Sequence, residues 1–250
     1  MLNYKNINWL LLISEIIILL LVNLRLINPL YLILPFLIYP LFLTYGSVFI
    51  KADFYFKSLK KLSNTKAVLL TFDDGPNPEI TPQILNLLDE YDKKAVFFLI
   101  GEKAKKYPEL VREIYQRGHI IANHSFTHEK WFDLRSSSVM TRELNQTSTI
   151  LEDIIGEKIV YFRPPYGVTN PNLKKALKNT KLKSIAWSFR SFDTGKQRAK
   201  EISQRIRNKV RGGDILLFHD NREKSVETLK ISMPYLNTFE QGDIKNEIFY

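Results

Sequence analysis

Only four histidines occur among the 250 residues, and two of them share one short window, His124-Ser125-Phe126-Thr127-His128. On a helical turn, positions four apart face the same way, so two imidazoles at this spacing reach one metal ion. A hydrolytic zinc centre keeps three protein ligands and leaves a position for water, and Asp74 is the third-ligand candidate of suitable type. The window is not the HExxH pattern of zinc proteases, because Ser125 stands where that pattern has its glutamate. In Asp73-Asp74 one carboxylate would bind the cation while its neighbour, kept off the metal, acts as general base, held ionised by a cation such as Arg163. Each feature has a plainer reading alone: Asp-Asp-Gly-Pro forms turns, and a His pair is often a surface or core accident. Together with His219 at another strand end they point to metal-assisted hydrolysis.

The elements that must position these groups alternate short apolar strands with amphipathic helices from residue 67 onward, the pattern of an α/β domain of parallel strands. A strand over 67–72 runs into Asp73-Asp74-Gly75-Pro76, and Thr81-Pro82 opens a helix to about Tyr91 with Thr81 as its capping residue. Strands over 95–100 and 119–122 follow, separated by a helix over 108–117 that Gly118 closes. A long helix over 138–155 precedes a strand over 159–162 that delivers Arg163-Pro164-Pro165-Tyr166-Gly167. Strands over 184–187 and 214–218 complete the pattern, the last ending in His219-Asp220. Asp73, Asp74, His124, His128, Arg163, Asp193 and His219 thus all fall just beyond strand ends, the edge at which barrels of parallel strands build active sites.

The runs TFDDGP (71–76), HSFTH (124–128), RPPYG (163–167), SFDTG (191–195) and LLFHD (216–220) resemble the five ordered motifs of the polysaccharide deacetylases, the NodB-like carbohydrate esterase family 4. The resemblance covers most of the chain from Val68 to about Leu236. It implies an irregular (β/α) barrel of about seven parallel strands. It also implies Asp73 as catalytic base, Asp74, His124 and His128 as metal ligands, and Arg163 as the residue that holds Asp73. Tyr166 would offer its backbone N–H to the oxyanion, His219 would be the general acid tuned by Asp193, and Leu217 would contact the acyl methyl. One departure stands out: many members have Trp after the fourth-motif Asp, whereas Asp193 is followed by Thr194-Gly195, which suggests a wider or differently shaped groove. Trp187 is expected in the core rather than as a substitute wall.

Composition narrows the setting. The chain has no cysteine, so thiolate sites and a disulfide scaffold are excluded, and no glycine-rich loop cradles a nucleotide. Residues 7–24 and 30–50 are long apolar runs, the second free of charge, and the first would extend about 27 Å as a helix. We read them as N-terminal transmembrane helices, one span or two, with a signal peptide followed by a core helix as the alternative. Pro35 and Pro40 suggest a kinked or re-entrant second segment. If both span, the lysines after the second run put the soluble domain on the cytoplasmic side; if only the first spans, it lies outside.

The expected organisation is a membrane anchor over 1–50, a basic linker over 51–66 and a catalytic domain over 67–250. The net charge of +10 splits evenly between the first 66 residues and the rest, which argues for lipid headgroups and solvated helix faces over nucleic acid as partner. The expected activity is hydrolysis of an N-acetyl or other N-acyl group on an amino-sugar glycan or lipid-linked amino sugar, with a divalent metal, Zn2+, as cofactor. The alternatives are an inactive sugar-binding member of the same fold and a membrane-tethered polyanion binder.

Overall fold

A computed structural model describes residues 3–248. Two apolar helices come first, α1 (Tyr4–Asn23) and α2 (Leu34–Val48), the latter preceded by a 3-10 turn over Pro29–Ile33. They pack on each other with most of their leucines and isoleucines exposed, and Tyr39 Oη donates to Asn8 Oδ1 at 2.6 Å between them. Pro35 sits in the first turn of α2, where its missing N–H is harmless, and Pro40 lies within the helix.

Beyond the helices, an α/β fold is built on β1 (Ala67–Gly75), β2 (Ala95–Leu99), β3 (Ile120–Asn123), β4 (Tyr161–Phe162), β5 (Lys183–Ser184), β6 (Phe189–Arg190) and β7 (Ile215–His219). Their order is β5-β4-β3-β2-β1-β7-β6, every pairing parallel, and a short β8 (Glu240–Gln241) adds to the start of β1. Between strands lie α3 (Thr81–Glu90), α4 (Gly101–Lys106), α5 (Pro108–Gln116), α6 (Ser137–Ile155), α7 (Pro171–Thr180), α8 (Ala199–Lys209) and α9 (Glu223–Leu236). This is the expected irregular (β/α) barrel of seven parallel strands. β1 and β2 are buried at nearly every position, as strands covered on both faces must be. One face packs Phe72, Phe97 and Phe218 against the helices; the other turns Leu69, Phe98 and Ile215 inward.

The sheet does not close between β5 and β6, its two end strands. Residues arriving from α2 fill that opening: Leu59 bridges Ile185 and Lys61 bridges Asp214, with Leu62 buried beside Ile244. Residues 51–66 are therefore packed into the barrel along part of their length.

Three local expectations change. Thr81 is not a helix cap; Asn77 Oδ1 accepts the Glu79 and Ile80 N–H groups, and Thr81 Oγ1 instead donates to Asp220 Oδ2 at 2.7 Å. The strands at 159–162 and 184–187 shrink to two residues each because the barrel is irregular there, while β6 forms on the two residues beyond. The His124–His128 window is a loop rather than a helical turn, with Ser125 and His128 both at positive φ.

Candidate active site

β1 carries Asp73 and Asp74 to the C-terminal edge, and β7, directly paired with it, places His219 in register with Asp73. Thr71 and Asp73, two apart on the strand, share one face. Arg163, just after β4, is fully buried between them: its Nη1 donates to Asp73 Oδ1 at 2.7 Å and to Thr71 Oγ1 at 2.8 Å. Its Nε and Nη2 donate to the carbonyls of Ile185 and Ala186, and the guanidinium lies 4.0 Å over the Phe98 ring. Burial pulls the guanidinium pKa down, and the Asp73 charge opposes that pull. Asp73 Oδ2 is left facing the histidines, 3.8 Å from His124 Nε2.

Asp74 sits at positive φ where β1 skips register between Asp73 and Gly75, and its carboxylate reaches the same His124 ring that Asp73 Oδ2 faces. Asp74 Oδ1 lies 3.5 Å from His124 Nε2 and 3.3 Å from His128 Nε2. All three ligand atoms fall within 4.8 Å of one another. Atoms bound tetrahedrally at zinc distances stand about 3.3 Å apart, so the residues fit a small divalent cation. His124 Nδ1 lies 2.8 Å from the Arg163 carbonyl oxygen, which selects the tautomer with the Nε2 lone pair toward Asp74. Burial pushes the Asp74 carboxyl up; protonation of His124, which would then hydrogen-bond to it, and of His128 and His219 beyond holds it well below the usual carboxylate range, whereas neutral rings leave it facing two nitrogen lone pairs. Burial, with His124 beside it, takes the His128 imidazole down to about 4, which keeps it neutral as a ligand must be.

On the opposite side His219 Nδ1 lies 2.8 Å from Asp193 Oδ1, and the His219 backbone N–H donates to Asp193 Oδ2 at 2.8 Å. Ser191 and Ser225 hydroxyls complete the shell around Asp193. Burial lowers the His219 pKa, yet the Asp193 hydrogen bond and charge, with Asp73 and Asp74 beyond, outweigh it and raise the imidazole above its ordinary value. Leu217 is buried on β7 against Ile50, Ala186 and Trp187. Tyr166 sits at positive φ with its ring 4.8 Å from that of His128, and Trp187 packs closely beneath Gly167. The structure thus gathers Asp73, Asp74, His124, His128, Arg163, Asp193 and His219 at one edge, with Tyr166 exposed on its rim and Leu217 buried two residues below His219.

Several supporting residues escaped the sequence. Glu143, from the middle of α6, accepts the Phe126 and Thr127 N–H groups and the Thr127 hydroxyl, which fixes the loop bearing both histidines. Lys103 donates to the Asp74 carbonyl at 2.7 Å. Both lie on ordinary polar helices, with nothing local to mark them. Asp220 is fully buried and desolvation pushes its carboxyl up to about 7; a Cβ on Gly75 would collide with it, so it wedges the turn after Asp74. Thr71 had a signal, its spacing of two from Asp73.

The sequence profile described as polysaccharide deacetylase matches residues 60–185. A chitooligosaccharide deacetylase of Azorhizobium caulinodans is 34% identical over 158 residues, 63% of this chain and 75% of that protein. A peptidoglycan-N-acetylglucosamine deacetylase of Bacillus cereus is 32% identical over 179 residues, 70% of this chain and 65% of that one. Among solved structures, a family 4 carbohydrate esterase from Streptomyces lividans in complex with acetate superposes with a TM-score of 0.67 at 29% identity, covering 73% of this chain and 95% of its own.

Proposed function

We propose that this chain, which belongs to the polysaccharide deacetylase family, removes N-acetyl groups from an amino-sugar glycan at a membrane surface with the aid of a divalent cation. Family membership makes it a hydrolase of carbon–nitrogen bonds other than peptide bonds. The observation that carries the finer reading is the meeting, at one strand edge, of a three-ligand cluster with a carboxylate on one side and a carboxylate-bound imidazole on the other.

Asp74, His124 and His128 would hold the cation, with zinc the choice their two nitrogens and one oxygen favour. When bound, it would supply Lewis acidity to the attacking water and to the acyl carbonyl. Asp73, anchored through Oδ1 on Arg163, takes the water proton on its other oxygen, Oδ2. Water oxygen bonds to the acyl carbon, and the Tyr166 N–H supports the negative charge that develops on the carbonyl oxygen. His219, protonated and oriented by Asp193, gives its Nε2 proton to nitrogen as the C–N bond breaks. Acetate and a free amine leave, with Leu217 beside the acyl methyl.

Two helices, Tyr4–Asn23 and Pro29–Val48, are long and apolar enough to cross a bilayer, with mean hydropathies of 1.9 and 1.6. Their exposure argues against a buried core pair, and the packing of the α2 exit on the barrel argues for a retained hairpin anchor. Residues 1–50 would then be the anchor and 67–250 the catalytic domain. The test is amine release from N-acetylated chitooligosaccharide by the full chain in detergent, beside Asp73→Asn and His219→Ala. Each variant is expected to lose about 10²- to 10⁴-fold in kcat. Near-parental turnover in Asp73→Asn would remove it as the base.

A further inference from the structure

The end of the second apolar helix is not a loose tether. The Thr169 N–H and hydroxyl donate to the carbonyls of Ser47 and Gly46 at 3.0 and 2.8 Å. Ile50 is buried against Trp187 and Leu217, and Lys51 Nζ donates to the Ser188 carbonyl at 2.6 Å. Thr169 lies just past the loop of Tyr166, and Leu217 is two residues, about 7 Å of strand, from His219. The point where the chain leaves the apolar hairpin therefore abuts the reaction centre. The large apolar side chains exposed around that edge agree: Trp131 at 58%, Leu134 at 72%, Tyr166 at 54% and Phe192 at 47%, on loops following β3, β4 and β6. A rim of this kind suits a headgroup layer.

Between the α2 exit and the β6 loop runs a groove of about 470 Å³. Phe49 and Phe192 give it apolar walls, Lys51, Arg190, Arg205 and Lys209 give it four cations, and among the described residues no carboxylate lines it. Arg205 is stacked on Phe189 and Phe192 and donates to the Arg190 and Ser191 carbonyls; Arg190 lies over Trp187 and Phe192. Burial lowers both Lys51 and Arg205, a desolvation cost that a bound anion would relieve. Arg190 is in register with Leu217 on the neighbouring strand, so its backbone stands about one strand spacing from the acyl side of the centre.

Resting on the deacetylase reading above, we propose that the amino sugar is delivered on a membrane lipid through a phosphate, and that this groove holds the phosphate while the sugar reaches Asp73 and His219. A bulk phospholipid would match the charge equally well, but Ile50 and Trp187 of the groove pack on Leu217 and its Phe192 immediately precedes Asp193, so the groove adjoins the residues that serve the acyl group and the proton donor. The occupant is thus the phosphate of the substrate itself.

The experiment compares kcat/KM of the full chain in nanodiscs on three N-acetylglucosamine substrates: a soluble chitooligosaccharide, a long-chain lipid glycoside, and the same lipid joined through a phosphodiester. The phosphate-linked lipid is expected to exceed the phosphate-free lipid by about ten- to hundredfold, the span of charge-assisted contacts. That ratio is expected to collapse toward one in Arg190→Gln/Lys209→Gln, and to be largely kept in Arg190→Lys, with melting temperature checked for each. Release without phosphate preference overturns this proposal alone, as does a preference that survives the double substitution. Loss of binding to phosphatidylglycerol vesicles with the substrate ratio unchanged assigns the groove to bulk lipid and also overturns it. No release from any of the three substrates overturns the deacetylase reading together with this one.

Discussion

Asp73 and Arg163 form a buried ion pair whose guanidinium donates to a carboxylate, a hydroxyl and two carbonyls. Breaking it by Arg163→Met leaves a carboxylate without its counter-charge, and thermal or denaturant unfolding is expected to register a loss of about 3–5 kcal/mol. A loss under 1 kcal/mol would mean that water reaches Asp73. His219 makes a separate, pH-resolved prediction. As proton donor it must be charged, so kcat falls as pH rises through its raised pKa. The raising influences are Asp193 first and then Asp73 and Asp74. Asp193→Asn removes the first of these, and the alkaline limb of the pH profile is expected to move to lower pH; a limb that stays in place would show that another group gives the proton.

At the scale of elements, the loop of His124 and His128 depends on a side chain from a distant helix. Glu143 on α6 ties down three of its donors, so Glu143→Ala is expected to weaken zinc binding by about 10- to 100-fold in a competition titration while leaving Asp73 and His219 untouched. Unchanged affinity would mean that the positive-φ backbone at Ser125 and His128 holds the ligands unaided. This loop also marks where sequence reading stops. Strand ends were legible because short continuous apolar runs stop abruptly at polar residues, which placed Asp73, His124, Arg163 and His219 at one edge. The helical geometry inferred for His124 and His128 was wrong, since spacing alone does not separate a helical turn from a loop bent at two left-handed residues. Glu143 and Lys103 act across long sequence distances, and a polar residue on a polar helix gives no sign of its partner. β6 and β8, two residues each, are too short to show a period.

In the molecule as a whole, the segment between hairpin and barrel is structural. Ile50 and Leu62 are buried, and Leu59 and Lys61 bridge the open side of the sheet. A chain starting at residue 67 is expected to be less stable to denaturant than one starting at residue 49, by about 1.5–3 kcal/mol for each of the buried Ile50 and Leu62 side chains; equal stability would make the segment a mere spacer. Lys51, Lys57, Lys60 and Lys61 follow the hairpin, whereas Arg25 alone occupies its turn. With both helices spanning, reporter fusions are expected to place residues 67–250 on the cytoplasmic side and the turn near residue 26 outside.

In the proposed mechanism one cation sits on Asp74, His124 and His128, and deacetylation depends on it. Metal analysis of the purified full chain, paired with amine release before and after chelation, tests it most directly. One zinc per chain is expected, with activity lost on chelation, restored by zinc, and neither metal nor restoration in His124→Ala/His128→Ala. Full activity in the metal-stripped chain, or undiminished zinc in the double variant, would contradict it.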